Sequence, residues 1–126
     1  MKTAFLFSGQ GSQYIGMGKE LAEQFPAQSK KILEAANSTF DFDLWKTIGE
    51  GTAEELSQTR VSQPAIFTVS LIAFEAARES GMTFEGAAGH SLGEYAAMVA
   101  AGVLSLEDGF KAIKYRAEAM DKAAKA

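Results

Sequence analysis

Gly89-His90-Ser91-Leu92-Gly93 is the stretch on which the reading of this chain turns. It is a G-x-S-x-G pentapeptide that follows an apolar run and opens an alanine-rich segment with helical character. A serine on a sharp strand-to-helix turn has its hydroxyl pushed out above a sheet, and so tight a turn demands small flanking residues. Gly89 and Gly93 meet that demand. The sole histidine of the sequence, His90, adjoins the serine. On so sharp a turn adjacent side chains point apart, so His90 is expected to be a packed or hydrogen-bonded neighbour of Ser91 rather than its general base.

Around the pentapeptide lie 126 residues, 47% of them hydrophobic, enough for one domain or part of one. Twelve basic against 16 acidic residues leave a net charge of −4, which offers no field to attract nucleic acid. Without cysteine there is no disulfide framework, no thiolate nucleophile and no zinc-thiolate site. Polar Ser8, Gln10, Ser12 and Gln13 follow the first apolar run too early for a signal peptide. No apolar stretch reaches the roughly 18 residues of a membrane span. A soluble, cytoplasmic chain is the expectation.

Thr3 to Phe7 reads as a strand buried on both faces of a parallel sheet, ending at the Ser8-Gly9-Gln10-Gly11-Ser12 loop. Leu21, Phe25, Ile32, Leu33, Ala36 and Phe40 recur at helical spacing on either side of Pro26, which predicts two helices broken at the proline. Phe42, Leu44, Trp45 and Ile48 read as a short apolar turn, and Thr52 with Glu55 as a capping box for a brief helix. Ser62-Gln63-Pro64 is expected to start a core helix with Pro64 in its first turn and Gly81 at its end. Its residues Ile66, Phe67, Val69, Leu71, Ile72, Ala73, Phe74 and Ala77 cover most of the circumference.

Phe84 to Gly89 is the second candidate strand, although Gly86, Ala87, Ala88 and Gly89 have poor strand propensity. Ser91 to Ala101 is the following helix, stopped at Gly102. Ser105 with Asp108 caps a last helix whose apolar face is Phe110, Ile113, Ala117 and Met120. The order of elements is that of an α/β protein. Two strands are few for a parallel sheet, and no glycine or proline closes the chain at Ala126, so residues 1–126 are read as the N-terminal part of a larger catalytic domain.

Phe7-Ser8-Gly9-Gln10-Gly11-Ser12-Gln13 and Gly89-His90-Ser91-Leu92-Gly93-Glu94-Tyr95-Ala96-Ala97, taken together in this order, closely resemble the malonyl-CoA:acyl carrier protein transacylases of fatty acid synthesis. More broadly they resemble the acyltransferase domains of polyketide and fatty acid synthases. The resemblance spans essentially the whole chain, with Gln63-Pro64-Ala65 and Tyr115-Arg116 where that family has related residues. It implies an α/β-hydrolase-like acyltransferase core, here helix-rich with its sheet incomplete and the small inserted subdomain absent.

The chemistry can be stated apart from the resemblance. Moving an acyl group between two thiols is easier in two steps through a serine ester, provided the oxyanion is stabilised. Ser91 is the candidate nucleophile, and the backbone N–H of Leu92, at the start of the helix, is one candidate oxyanion donor. The resemblance puts the second on the N–H of Gln10, between Gly9 and Gly11. A guanidinium holds a malonyl carboxylate with two parallel hydrogen bonds, and the resemblance assigns that task to Arg116. It places Gln63 on the wall of the same pocket. The general-base histidine of the family lies in a later part of the protein, outside this chain. The expected substrates and partners are malonyl-CoA and acyl carrier protein, with coenzyme A entering as a thioester and no cofactor or metal.

Competing readings have less support. Gly9-Gln10-Gly11 fails as a dinucleotide or phosphate loop, because the third glycine of G-x-G-x-x-G falls on Tyr14 and no P-loop lysine follows. Glu94 is expected to complement the helix dipole rather than act as a base. Phe5, Phe7, Phe67, Phe74 and Phe110 follow the element periods and are read as core. Two alternatives stay open: a catalytically silent fragment that pairs through its incomplete sheet with the rest of the protein or a second copy, and a polyketide-type acyltransferase.

Overall fold

Phe5 and Phe7 of the first strand sit against the long central helix, and this contact organises the molecule. Phe5 meets Phe74 edge-on at 5.7 Å between ring centroids and Phe84 at 4.9 Å, while Phe7 lies 6.2 Å from Phe74. The computed structural model describes residues 2–125. Its elements are β1 (Ala4–Phe7), α1 (Lys19–Gln24), α2 (Pro26–Thr39), α3 (Leu44–Glu50), α4 (Ala53–Ser57), α5 (Thr59–Glu79), β2 (Gly86–Gly89), α6 (Gly93–Ala100) and α7 (Leu106–Ala124). β1 and β2 pair in parallel, Ala4 opposite Gly86 through Phe7 opposite Gly89.

Among the small residues of β2, poor strand formers in isolation, Gly89 is explained by what lies against it. α6 packs on both strands. A Cβ on Gly93 would collide with the Phe7 carbonyl oxygen and lie 2.8 Å from that of Ser8, and one on Gly89 would collide with the Gly93 carbonyl. The strand is bare at Gly89 because the backbone of α6 must touch it there.

β1 differs from expectation in one respect. Its burial is one-sided: Phe7 is buried and Phe5 half-buried, whereas Ala4 and Leu6 are exposed, Leu6 at 80%. Side chains alternate across a strand, so the face opposite Phe74 has no cover among the described residues.

α5 packs against α7, α2 and α6, with α1, α3 and α4 on its remaining sides. Ile66, Phe67, Leu71, Ile72 and Phe74 are buried, Val69 and Ala77 half-buried, and Ala73 exposed. It starts at Thr59, earlier than the proline signal implied, so Pro64 lies inside the helix. Lacking an N–H, Pro64 leaves the Arg60 carbonyl without its in-helix donor. The Thr68 hydroxyl donates to the Pro64 carbonyl at 2.7 Å.

The supposed apolar turn at Phe42–Ile48 is helix α3. Asp43 caps it, accepting from the Lys46 N–H at 3.1 Å, and Leu44 and Ile48 are buried. The other local signals produce the structures they announce. α1 and α2 meet at Pro26, Thr52 caps α4 through the Glu55 N–H, and Gly81 follows α5 at φ 92°. Ser105 caps α7 by accepting from the Asp108 N–H at 3.1 Å.

α7 buries Phe110, Ile113 and Ala117, with Phe110 edge-on to Phe67 at 4.9 Å. Met120, expected on the same face, is 40% exposed. The Ser105→Ala variant should lose about 1 kcal/mol of stability, read as a lowered denaturant midpoint at unchanged slope. No helix among the described residues is long and apolar enough to cross a membrane.

Candidate active site

The five residues of the pentapeptide take the chain from strand to helix with no connecting loop. β2 ends at Gly89, α6 starts at Gly93, and Ser91 between them is the one non-glycine residue with a positive φ, 57°, among the described residues. An L-residue is held in the left-handed region only where its surroundings over-determine it, here at a cost of about 1–2 kcal/mol. The surroundings are visible. The His90 N–H donates to the Phe7 carbonyl, and the Gly93 and Glu94 N–H groups turn back to the carbonyls of His90 and Ser91, each at 3.0 Å. The predicted helix over Ser91–Ala101 is therefore shorter, Gly93–Ala100, because its first two residues form the turn.

Ser91 is exposed. Its hydroxyl oxygen accepts a hydrogen bond from Arg116 Nη2 at 2.9 Å. Arg116 Nη1 donates to Gln63 Oε1 at 2.7 Å, and the guanidinium carbon lies 5.7 Å from the centroid of the Tyr95 ring. Arg116 is half-buried and Gln63 fully buried, so the cation is seated against protein while the serine faces outward. Packing of α7 across α5 and α6 makes this assembly. Gly109 permits the close approach, since a Cβ there would lie 2.8 Å from both Phe67 Cζ and Val99 Cγ2.

The Ser8–Ser12 loop lies beside the turn. A Cβ on Gly9 would come within 2.6 Å of the His90 carbonyl oxygen and 2.7 Å of His90 Nδ1, so the exposed imidazole is turned toward Gly9. The loop is braced internally: the Ser12 hydroxyl bonds the Gly9 carbonyl at 2.8 Å and Ser8 Oγ at 3.1 Å, and the Gly11 N–H donates to Gln13 Oε1 at 2.8 Å. The Gln10 side chain reaches Thr59 Oγ1 at 3.3 Å. Neither the Leu92 nor the Gln10 backbone N–H donates a hydrogen bond among the described residues.

Four of the five residues singled out from the sequence thus take identifiable places around one hydroxyl. Ser91 and Leu92 form the turn, and Arg116 and Gln63 lie behind it. Gln10 sits in the neighbouring loop. Two clefts of about 750 and 760 Å³ flank α2 and include none of these residues. No group of three or more His, Asp or Glu that could hold a metal ion occurs among the described residues.

Two site residues escaped the sequence reading. Tyr95 stacks on Arg116, and the Met120 thioether accepts from Gln63 Nε2 at 3.2 Å. Their signal is spacing. Tyr95 stands four residues after Ser91 and Met120 four after Arg116, one helical turn in each case.

A positive-φ serine between a bare strand and a helix, with a guanidinium on its hydroxyl, suits formation of an acyl ester whose acyl group carries a negative charge. Known proteins resemble the chain over nearly its whole length. The chain is 52% identical over 122 residues to a malonyl CoA-acyl carrier protein transacylase of Bacillus subtilis, covering 97% of this chain and 38% of that protein. It superposes with a TM-score of 0.91 on the malonyl CoA-acyl carrier protein transacylase of Coxiella burnetii, at 40% identity, covering 98% of this chain and 39% of that one. A malonyl-transacylase in complex with its type II PKS acyl-carrier protein superposes with a TM-score of 0.89 at 35% identity, covering 98% of this chain and 40% of that one. The chain therefore spans about two fifths of the length of these relatives. Residues 4–126 match the acyl transferase domain family, and with the serine turn and its arginine in place the chain belongs to that family.

Proposed function

We propose that the protein carrying this chain transfers a malonyl group from malonyl-CoA to the phosphopantetheine thiol of an acyl carrier protein, through a malonyl ester of Ser91, in cytoplasmic fatty acid biosynthesis. The observation that carries this reading is the 2.9 Å hydrogen bond from Arg116 Nη2 to Ser91 Oγ. In a malonyl-serine ester the free carboxylate stands only three atoms beyond Oγ. A guanidinium already at that oxygen is within reach of it, and a planar donor pair matches a carboxylate better than an ammonium does.

As Ser91 Oγ attacks the thioester carbonyl, its proton passes to a base supplied by residues beyond this chain. The N–H groups of Leu92 and Gln10 stabilise the oxyanion that forms. Collapse of the tetrahedral intermediate breaks the carbon–sulfur bond, and the base returns the proton to the departing coenzyme A thiol. The carrier-protein thiol then repeats these steps in reverse order, giving its proton to the base, attacking the ester and regenerating the Ser91 hydroxyl. No cofactor enters the scheme. Residues 1–126 would form the N-terminal part of the catalytic domain, with the open face of Ala4 and Leu6 as the seat for the rest of it.

The test is intact-mass analysis of the full-length protein after incubation with malonyl-CoA. A single malonyl adduct that maps to Ser91 is expected. No adduct, or one on another residue, overturns the reading. Arg116→Ala should lower kcat/KM for malonyl-CoA about 10²-fold, the scale of a lost charge-assisted pair, and should erase the preference over acetyl-CoA.

A further inference from the structure

We propose that Met120 and Tyr95 are positioning residues that hold Arg116 in the orientation that selects a carboxylate-bearing acyl group. This rests on the malonyl-transfer reading above and extends it from the arginine to the groups that aim it. Gln63 is the link. It is buried to 0% exposure, and its amide has two ends with different neighbours. A guanidinium has five N–H donors and no acceptor, so the end facing Arg116 Nη1 at 2.7 Å must be the oxygen. The amide nitrogen is thereby turned to the opposite side, where Met120 Sδ accepts from it at 3.2 Å.

Reversal of the amide would set donor against donor at Arg116 and oxygen against sulfur at Met120. The thioether is a weak acceptor, yet it is the only hydrogen-bond acceptor that the described residues give this N–H. Tyr95 restrains the guanidinium from another side, its ring 5.7 Å from Cζ, within cation–π range. α7 thus carries both the arginine and, one turn later, the methionine that fixes its amide partner. α6 carries the aromatic face one turn after the nucleophile.

Gln63 and Ser91 each engage one of the five guanidinium N–H groups, which leaves three for an incoming carboxylate. An arginine side chain free to rotate would lose conformational freedom on each capture. One held beforehand gives that cost back as affinity for the charged acyl group and gives nothing to acetyl, which has no carboxylate to meet it. Discrimination between the two acyl groups therefore depends on Met120 and Tyr95, although neither needs to touch the substrate.

The measurement is the ratio of kcat/KM for malonyl-CoA to that for acetyl-CoA in the full-length protein. Met120→Leu keeps the side-chain volume and removes the acceptor, and should lower the ratio about three- to tenfold, mainly through KM for malonyl-CoA. Met120→Gln, which again offers an oxygen to the Gln63 amide, should recover most of that loss. Tyr95→Leu should lower the ratio by a similar factor, with Tyr95→Phe recovering it because the ring is kept. If Met120→Leu and Tyr95→Leu keep the wild-type ratio, whether both rates are unchanged or fall together, the two residues are structural and the proposal is overturned. A wild-type protein that takes up no malonyl group would overturn the functional reading itself, an outcome seen before any variant is made.

Discussion

Ser91→Ala is expected to leave the full-length protein unable to form an acyl adduct, with transfer reduced roughly 10⁴-fold or more, as for removal of a nucleophile that acts as a unit with its base and oxyanion donors. The neighbouring hydroxyls offer no substitute, since those of Ser8 and Ser12 are bonded to each other and Ser12 also to the Gly9 carbonyl. Position 91 also allows a sharper test than loss of activity. At φ 57° any side chain is strained there, and glycine alone is not. Ser91→Gly should abolish transfer while stabilising the fold by roughly 0.5–1 kcal/mol, the relieved strain less the backbone entropy of glycine. Stability gained with activity lost marks strain retained for function. A thermal melt shows it, and a Ser91→Gly protein that melts below wild type would mean that the turn is not strained at all.

Gly93→Ala is expected to damage the fold severely. The added methyl would meet the carbonyl oxygens of Phe7 and Ser8. These are backbone atoms of a paired strand and its adjoining loop, with no side chain able to swing aside. α6 would have to lift from β1, breaking the contact that aims Ser91. We expect a loss of more than about 3 kcal/mol, a large share of the roughly 5–15 kcal/mol that holds a domain together. The control lies at the start of β2, the strand that leads into the turn. A Cβ on Gly86 meets nothing within 4 Å, so Gly86→Ala should stay within about 0.5 kcal/mol of wild type. Equal denaturant midpoints for Gly93→Ala and Gly86→Ala would remove close backbone packing as the reason for the pentapeptide's glycines.

These expectations differ in how much of their basis can be read from residue order. The need for Gly89 and Gly93 is visible in the pentapeptide, because a strand-to-helix turn of that length leaves no room for Cβ atoms. The caps at Thr52 and Ser105, the break at Pro26 and the stop at Gly81 are equally visible, each being a hydrogen bond or dihedral restriction within a few residues. α3 is hidden because its seven residues after Asp43 are too few for a clear period, although Asp43 stands at its cap. The start of α5 differs from the expectation because Pro64 suits a first turn and is nonetheless tolerated in the second, where surrounding packing outweighs one lost hydrogen bond.

The site divides along the same line. That Ser91 should stand on a turn with free N–H groups nearby follows from the chemistry of residues 89–93. Arg116 is 25 residues away from Ser91 and 53 from Gln63, and no local rule joins them; the resemblance could suggest their company but not its geometry. α7 brings them together by packing across α5, with Phe110 on Phe67 and Gly109 opening the approach, so the guanidinium arrives at Ser91 Oγ as a consequence of core packing. Met120 shows the difference most plainly. Helical periodicity assigns it to the apolar face, but its side chain is 40% exposed, with its sulfur accepting from the Gln63 amide. Short-range bonds can be read along the chain because both partners lie within a few residues of each other, whereas a carboxylate clamp exists only once two distant helices have closed on one another.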